Sequence, residues 1–475
     1  MGTVTLPLWL VVLAGVLAAI GLADRLLVPS VRWFIRSRAN KVLDEVASRL
    51  RIEIRPFQQT RRQVLIDRLL YDDKVQQAAA SHARAHNMPR EVVMSRITAY
   101  AREIVPAFNA YFYFRIGYWL GRRLAQSLYR VRVGYTDTDG LARVSPDATV
   151  VFVMNHRSNM DYVLAAYLVA DHAALSYAVG EWARIWPLQQ LIRAMGAYFV
   201  RRNSRDELYR RVLERYIGMA TEAGVTQALY PEGSLSRDGA LRAPRLGALD
   251  YMIRGFDPEG ERDLVFIPLG INYDRTLEDR TLLLGLDPNA QRPGRLRAAG
   301  NTLAFVAHQA GLALRSEWHR FGYACVNFGA PLSMREYLLA QGIDFRILGK
   351  DERHARVAEL GARLMQRVGR LIPVLPVPLV ALVFERNPGR PLSELELKSV
   401  AEALIGRLEA AGAHIYIPRR DRDYAITAGL RMMLLRHMVA ERDGLYAADP
   451  AESALLGYYA KSIAHLLPVR TTAGI

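Results

Sequence analysis

Only one cysteine, Cys325, occurs in 475 residues. It rules out an intrachain disulfide and fits a reducing compartment. The ten histidines are scattered, no H-E-x-x-H occurs, and neither a metal nor a bound cofactor is expected. A P-loop, a dinucleotide fingerprint and the G-x-S-x-G elbow of serine hydrolases are also missing. Acidic residues are in deficit, 47 against 63 lysines and arginines, leaving a net charge of +16 and a pI near 10. Such a balance favours an anionic partner, either phospholipid headgroups or a phosphorylated substrate. Zinc-finger spacing, an RNA-binding aromatic signature and a basic tail are lacking, so nucleic acid is not expected. Internal repeats and low-complexity tracts are absent too.

Long uncharged runs are scarce. The longest covers residues 6–23, which hold no charged side chain. As a helix it would reach about 27 Å, close to the ~30 Å of bilayer hydrocarbon. A cleaved signal is the competing reading, because Gly21-Leu22-Ala23 resembles a cleavage site. No basic residue precedes the run, however, whereas Arg25, Arg32, Arg36, Arg38 and Lys41 follow it. A retained transmembrane anchor over 1–28 is expected, with the bulk of the chain on the cytoplasmic side of the inner membrane.

Residues 29–135 read as a helical, membrane-associated region with apolar positions three and four apart, punctuated by Pro56, Pro89 and Pro106. Within it, residues 108–132 interleave aromatics with arginines. That pattern suits a helix in the headgroup layer, or a core helix with solvated arginines. Residues 136–345 read as an α/β domain, a mixed, mostly parallel sheet flanked by helices. Strands are expected at 148–154, 176–179, 197–200, 225–230, 264–270 and 323–328, with helices near 159–171, 186–195, 205–222 and 246–254. Pro268 argues against a central ladder position for its strand, or marks a bulge. Residues 346–475 read as helical, and Ser393 and Glu396 form a capping box for a helix ending at Gly412. Residues 371–384 are apolar but too short to span a bilayer, so they are buried or touch a membrane surface.

In such sheets ligands gather beyond the carboxyl ends of the strands, and four polar patches fall there. His156 and Asp161 follow the first strand. A histidine beside a carboxylate can take a proton from a hydroxyl near neutral pH. The plain alternative is a turn histidine and a helix cap, since Ser158 and Asp161 have capping-box spacing. Arg201 and Arg202 follow the third strand, where Ser204 to Glu207 caps the next helix. They form either a phosphate seat or a solvated basic face. Glu232, Gly233, Ser234 and Arg237, with Arg245 beyond, form either a substrate loop or a glycine-rich surface loop. In it Glu232 would hydrogen-bond a polyol hydroxyl. The strand ending Asn272-Tyr273-Asp274 is core, with an end able to wall a pocket.

Together and in order, the patches resemble the glycerophospholipid acyltransferase superfamily, and most nearly its membrane-bound glycerol-3-phosphate 1-O-acyltransferases. His156-Arg157-Ser158-Asn159-Met160-Asp161-Tyr162 matches H-R-S-x-M-D-Y. Gly196 to Arg202 meets G-A-x-F-x-R-R, and Glu232-Gly233 the glutamate-glycine loop. Residues 267–271 resemble the fourth block, and residues 327–333 a late F-G-x-P-L-S segment. Leu235 stands where the family has arginine, Ser234 where it has glycine or threonine, and Arg245 where it has lysine. The resemblance implies acyl transfer from a thioester of coenzyme A or acyl carrier protein to glycerol 3-phosphate. Under it, His156 is the general base and Asp161 orients it, while backbone N–H groups at a helix start hold the oxyanion. Arg157, Ser158, Arg201, Arg202, Glu232, Gly233, Ser234, Arg237 and Arg245 bind substrate. Two further readings are acylation of 1-acylglycerol 3-phosphate and a non-catalytic lipid-binding protein.

Overall fold

The computed structural model describes residues 55–110, 112–169, 174–180, 188–201, 204–286 and 321–468. Residues 6–23, read as an anchor, and Arg202 lie outside the described residues. Among the described residues no helix is long and apolar enough to cross a membrane.

Eight strands make one sheet: β1 (Arg130–Thr136), β2 (Thr149–Met154), β3 (Ser176–Gly180), β4 (Tyr198–Val200), β5 (Gln227–Leu229), β6 (Leu264–Tyr273), β7 (Tyr323–Phe328) and β8 (Leu332–Ser333). Their order is β1-β7-β6-β2-β5-β3-β4, with β8 also on β6. Strands β2 to β6 run parallel; β7 and β8 oppose β6, and β1 runs with β7. The sheet is therefore mixed and mostly parallel, as expected. Strands β2, β6 and β7 are buried along their whole length, which explains their unbroken apolar sequences.

Three expectations need correction. Strand β6 runs to Tyr273, past the expected end at residue 270, and is central despite Pro268. Pro268 falls where its antiparallel neighbour changes from β8 to β7, so no full ladder runs past it there. Its carbonyl still accepts the Gly329 N–H at 2.9 Å. Strand β1 lies inside the stretch read as helical. Arginines at 130 and 132 masked its alternation, and it joins the sheet through β7.

The helices that cover the sheet are α1 (Arg62–Leu70), α2 (Asp73–Ala85), α3 (Arg90–Ile104), α4 (Tyr118–Leu128), α5 (Met160–Val169), α6 (Glu207–Glu222), α7 (Gly247–Ile253), α8 (Met334–Gln341) and α9 (Lys350–Leu371). One core joins α1–α3, α6, α7, α8 and α9 to Val151, Val153 and Phe266 of the sheet. The cap of α6 is Asp206, not Ser204; its carboxylate accepts the Tyr209 N–H at 3.1 Å.

A second core gathers around α10 (Pro376–Arg386), with α11 (Glu394–Ala410), α12 (Arg422–Leu435) and α13 (Ser453–Ala464). Every residue from Pro376 to Phe384 is buried, so this apolar segment is protein core and touches no membrane surface. The capping box of α11 is present, with Ser393 and Glu396 bonding each other's backbone N–H. Gly412 beyond it has φ +77°.

Candidate active site

The β2 ladder ends at Met154, and Asn155 extends it with its side chain. Its amide donates to the Ile271 carbonyl at 2.9 Å and accepts the Ile271 N–H at 2.8 Å. This rung fixes the turn that follows. There His156 Nδ1 lies 2.9 Å from Asp161 Oδ2, both side chains almost wholly buried. The same oxygen accepts the N–H groups of Arg157 (2.7 Å) and Ser158 (3.0 Å). Tyr273, the last residue of β6, donates its hydroxyl to Asp161 Oδ1 at 2.6 Å. Asp161 thus receives four donors and opens α5, where the helix N-terminus also favours its negative charge. A carboxylate so placed only accepts, so Nδ1 carries the proton and the Nε2 lone pair faces elsewhere. The imidazole packs in a cluster with two rings, Tyr230 at 4.4 Å and Tyr162 at 5.4 Å between centroids, which also lie 4.7 Å from each other.

The glutamate-glycine loop meets this turn directly. Glu232 Oε1 accepts the His156 N–H at 2.8 Å and Oε2 accepts the Arg242 N–H at 3.1 Å. Ser236 N–H donates to the His156 carbonyl at 2.9 Å. Oε1 therefore ties loop to loop and Oε2 braces Glu232's own loop, where a polyol contact was expected. Burial pushes its carboxyl up to about 7, against the pull of those two N–H groups and of Arg157. Gly233 has φ +68°, and a Cβ there would meet Arg245 Cδ at 2.6 Å. The loop's turn and the arginine's place both need glycine.

The other candidates divide. Ser158 donates its hydroxyl to Glu278 Oε2 at 2.8 Å, and Asn159 donates twice to Glu278 Oε1. Burial raises the Glu278 carboxyl above its ordinary value. Arg157 is buried, its Nη1 donating to the Gly239 carbonyl and its guanidinium lying 4.6 Å from the Tyr458 ring centroid. Arg201 makes a two-point ion pair with Glu103 at 2.6 and 2.9 Å, its guanidinium against the rings of Tyr100 and Tyr209. A phosphate would have to displace that carboxylate. Arg237 is exposed and donates to the Gly285 carbonyl at 3.2 Å, and Arg245 is exposed beside Gly233. Ser234 is half-buried in the same loop.

The helix start also differs from expectation. The N–H groups of residues 156 to 161 bond to Glu232, Asp161, Asp161, Glu278, Ser158 Oγ and the Ser158 carbonyl in turn. None is left for an oxyanion, because the turn spends its donors on holding two carboxylates. Glu278, Glu103 and Tyr458 carried no motif signal. Tyr273 had one, its position at the end of a strand aimed at the site. Among the described residues no histidine, cysteine, aspartate and glutamate group could hold a metal ion.

Two protein families match. The family described as Acyltransferase covers residues 136–272, and Glycerol-3-phosphate acyltransferase C-terminal region covers 312–471. Curated relatives named glycerol-3-phosphate acyltransferase include those of Pseudomonas savastanoi and Pseudomonas entomophila. Each is 27% identical over 424 residues, 85% of this chain and 48% or 49% of the relative. The chain spans about half the length of these relatives. A crystal structure of the 1-acyl-sn-glycerophosphate acyltransferase of Thermotoga maritima overlaps 54% of this chain and 80% of its own. Its 17% identity and TM-score of 0.32 are too low to bear on function.

Proposed function

We propose that this chain, which belongs to the glycerophospholipid acyltransferase superfamily, moves a fatty acyl group from an acyl thioester to the sn-1 hydroxyl of glycerol 3-phosphate. The observation that carries the reading is the buried His156–Asp161 pair at the carboxyl end of β2. With Nδ1–H committed to Asp161, His156 Nε2 takes the hydroxyl proton as the glycerol oxygen attacks the thioester carbonyl. The tetrahedral adduct then collapses, the C–S bond breaks, and the thiol leaves with the proton. Asp161 stabilises the imidazolium between these events. General base catalysis of this kind contributes about 10²–10⁴ in rate.

The phosphate is assigned to Arg237 and Arg245, the exposed arginines of the glutamate-glycine loop, with Arg202 as a further candidate. The donor is a thioester of coenzyme A or acyl carrier protein, and the product is lysophosphatidate. Membrane attachment through residues 6–23, with the site on the cytoplasmic face, belongs to the same proposal. A labelled long-chain thioester offered with glycerol 3-phosphate or with 1-acylglycerol 3-phosphate tests it. Transfer to glycerol 3-phosphate, lost by at least 10²-fold in His156→Ala, is expected. Preference for the monoacyl acceptor would move the assignment to the second step of the same chemistry. Undiminished turnover by His156→Ala would remove the mechanism.

A further inference from the structure

The side chain of Arg157 points toward α13. Its backbone N–H supports Asp161, while its guanidinium lies under Tyr458 of α13, with the ring centroid 4.6 Å away. Arg157 has no carboxylate partner among the described ion pairs. Among the described residues its guanidinium meets the Gly239 carbonyl and the face of that ring. Gly239 has φ +88° and lies against the Tyr458 backbone so closely that any Cβ would collide with the Tyr458 carbonyl. The histidine turn, the glutamate-glycine loop and α13 therefore meet at one point.

The next residue of α13 secures a third segment. Tyr459 Oη accepts the Thr276 N–H at 3.1 Å and an Arg436 N–H at 2.8 Å, and donates to Asp279. Arg436 also pairs with Asp279 at 2.7 Å. These contacts hold the chain on both sides of Glu278, whose carboxylate grips Ser158 and Asn159. Thus α13 reaches the histidine turn by two routes, through Arg157 and through Glu278.

From this juxtaposition we propose that Tyr458 is a positioning residue for acyl transfer: its ring seats Arg157, and the seated Arg157 fixes the peptide that aligns His156 with Asp161. The inference rests on the acyl-transfer reading. A cation held over an aromatic face is strongest when shielded from water, and Arg157 is 3% exposed. The ring is what matters. The Tyr458 hydroxyl makes one long contact, 3.4 Å to Thr276 Oγ1.

Full-length Tyr458→Phe and Tyr458→Leu separate seating from mere filling of the core, because both keep an apolar body in α13. The expected result is near-normal kcat in Tyr458→Phe. In Tyr458→Leu, kcat should fall at least tenfold, with KM for both substrates within about twofold and the protein still folded at the assay temperature. Equal kcat in Tyr458→Leu and the parent overturns the proposal. So does an equal loss in both variants, or a loss that appears in KM alone. A parent chain inactive on every thioester and acceptor would sink the acyl-transfer reading itself, a distinguishable result.

Discussion

At the scale of single residues, Asp161 is the hub. It gathers a histidine and two backbone N–H groups on Oδ2 and a tyrosine hydroxyl on Oδ1, so that loss of the tyrosine would leave a buried carboxylate oxygen without its donor. Tyr273→Phe removes one donor and little else. The Tyr273 hydroxyl stays protonated, since burial and the neighbouring Asp161 carboxylate push its pKa well above the usual phenol value. Losing a hydrogen bond to a charged group costs about 1.5–3 kcal/mol, so a fall in kcat of roughly ten- to a hundredfold is expected. Steady-state rates of Tyr273→Phe beside the parent check this; an unchanged kcat would mean that the hydroxyl does not support the pair.

At the scale of elements, the site is a set of loops tied end to end, and Glu232 is the knot between those after β2 and β5. Its carboxyl is pushed up from an ordinary 4.5 to about 7, chiefly by burial. The folded protein thus binds a proton more tightly than the unfolded chain does. Between those two values stability falls as pH rises, and above the folded value the loss is complete. The size is on the order of 3 kcal/mol. Glu232→Gln cannot ionise, so its stability should be flatter from pH 5 to 8, although its amide can accept only one of the two N–H groups. Urea unfolding at several pH values measures this. Parallel curves for parent and variant would show that Glu232 ionises without cost.

Elements differ in how legible they were from sequence. β2 and β6 were readable because strands covered on both faces are unbroken apolar runs. The α11 capping box was readable because its chemistry is local. β1 was not, since an outer strand tolerates arginines at alternate positions and so loses its apolar signature. His156 and Asp161 were legible as a pair, and their four-residue separation is what a strand-to-helix turn requires. The partners of Arg201 and Ser158 were not legible. Glu103 lies 98 residues before Arg201, and Glu278 lies 120 after Ser158. Composition and spacing are blind to such distances.

At the scale of the whole molecule, the excess of positive charge needs a destination, and α4 offers one. Trp119, Leu120 and Leu124 are 56%, 46% and 41% exposed, and the Arg123 guanidinium lies 5.5 Å from the Trp119 ring centroid. The opposite side of α4 packs on α5. Gly121 faces Val163 there, and Gln126 donates to the Tyr167 hydroxyl at 3.0 Å. Apolar side chains ringed by arginine are the chemistry of a helix lying in an anionic lipid surface. Asp161 stands in the first turn of α5. Seating α4 on lipid would thus set the His156–Asp161 pair one helix away from that surface. Vesicles whose acyl chains carry bromine quench tryptophans that enter the interface. The difference between the full chain and Trp119→Phe isolates this ring from the five other tryptophans. A drop in quenching with Trp119→Phe is expected, with Trp9 of the proposed anchor supplying what remains, and identical quenching in both proteins would leave the exposed face of α4 without its lipid.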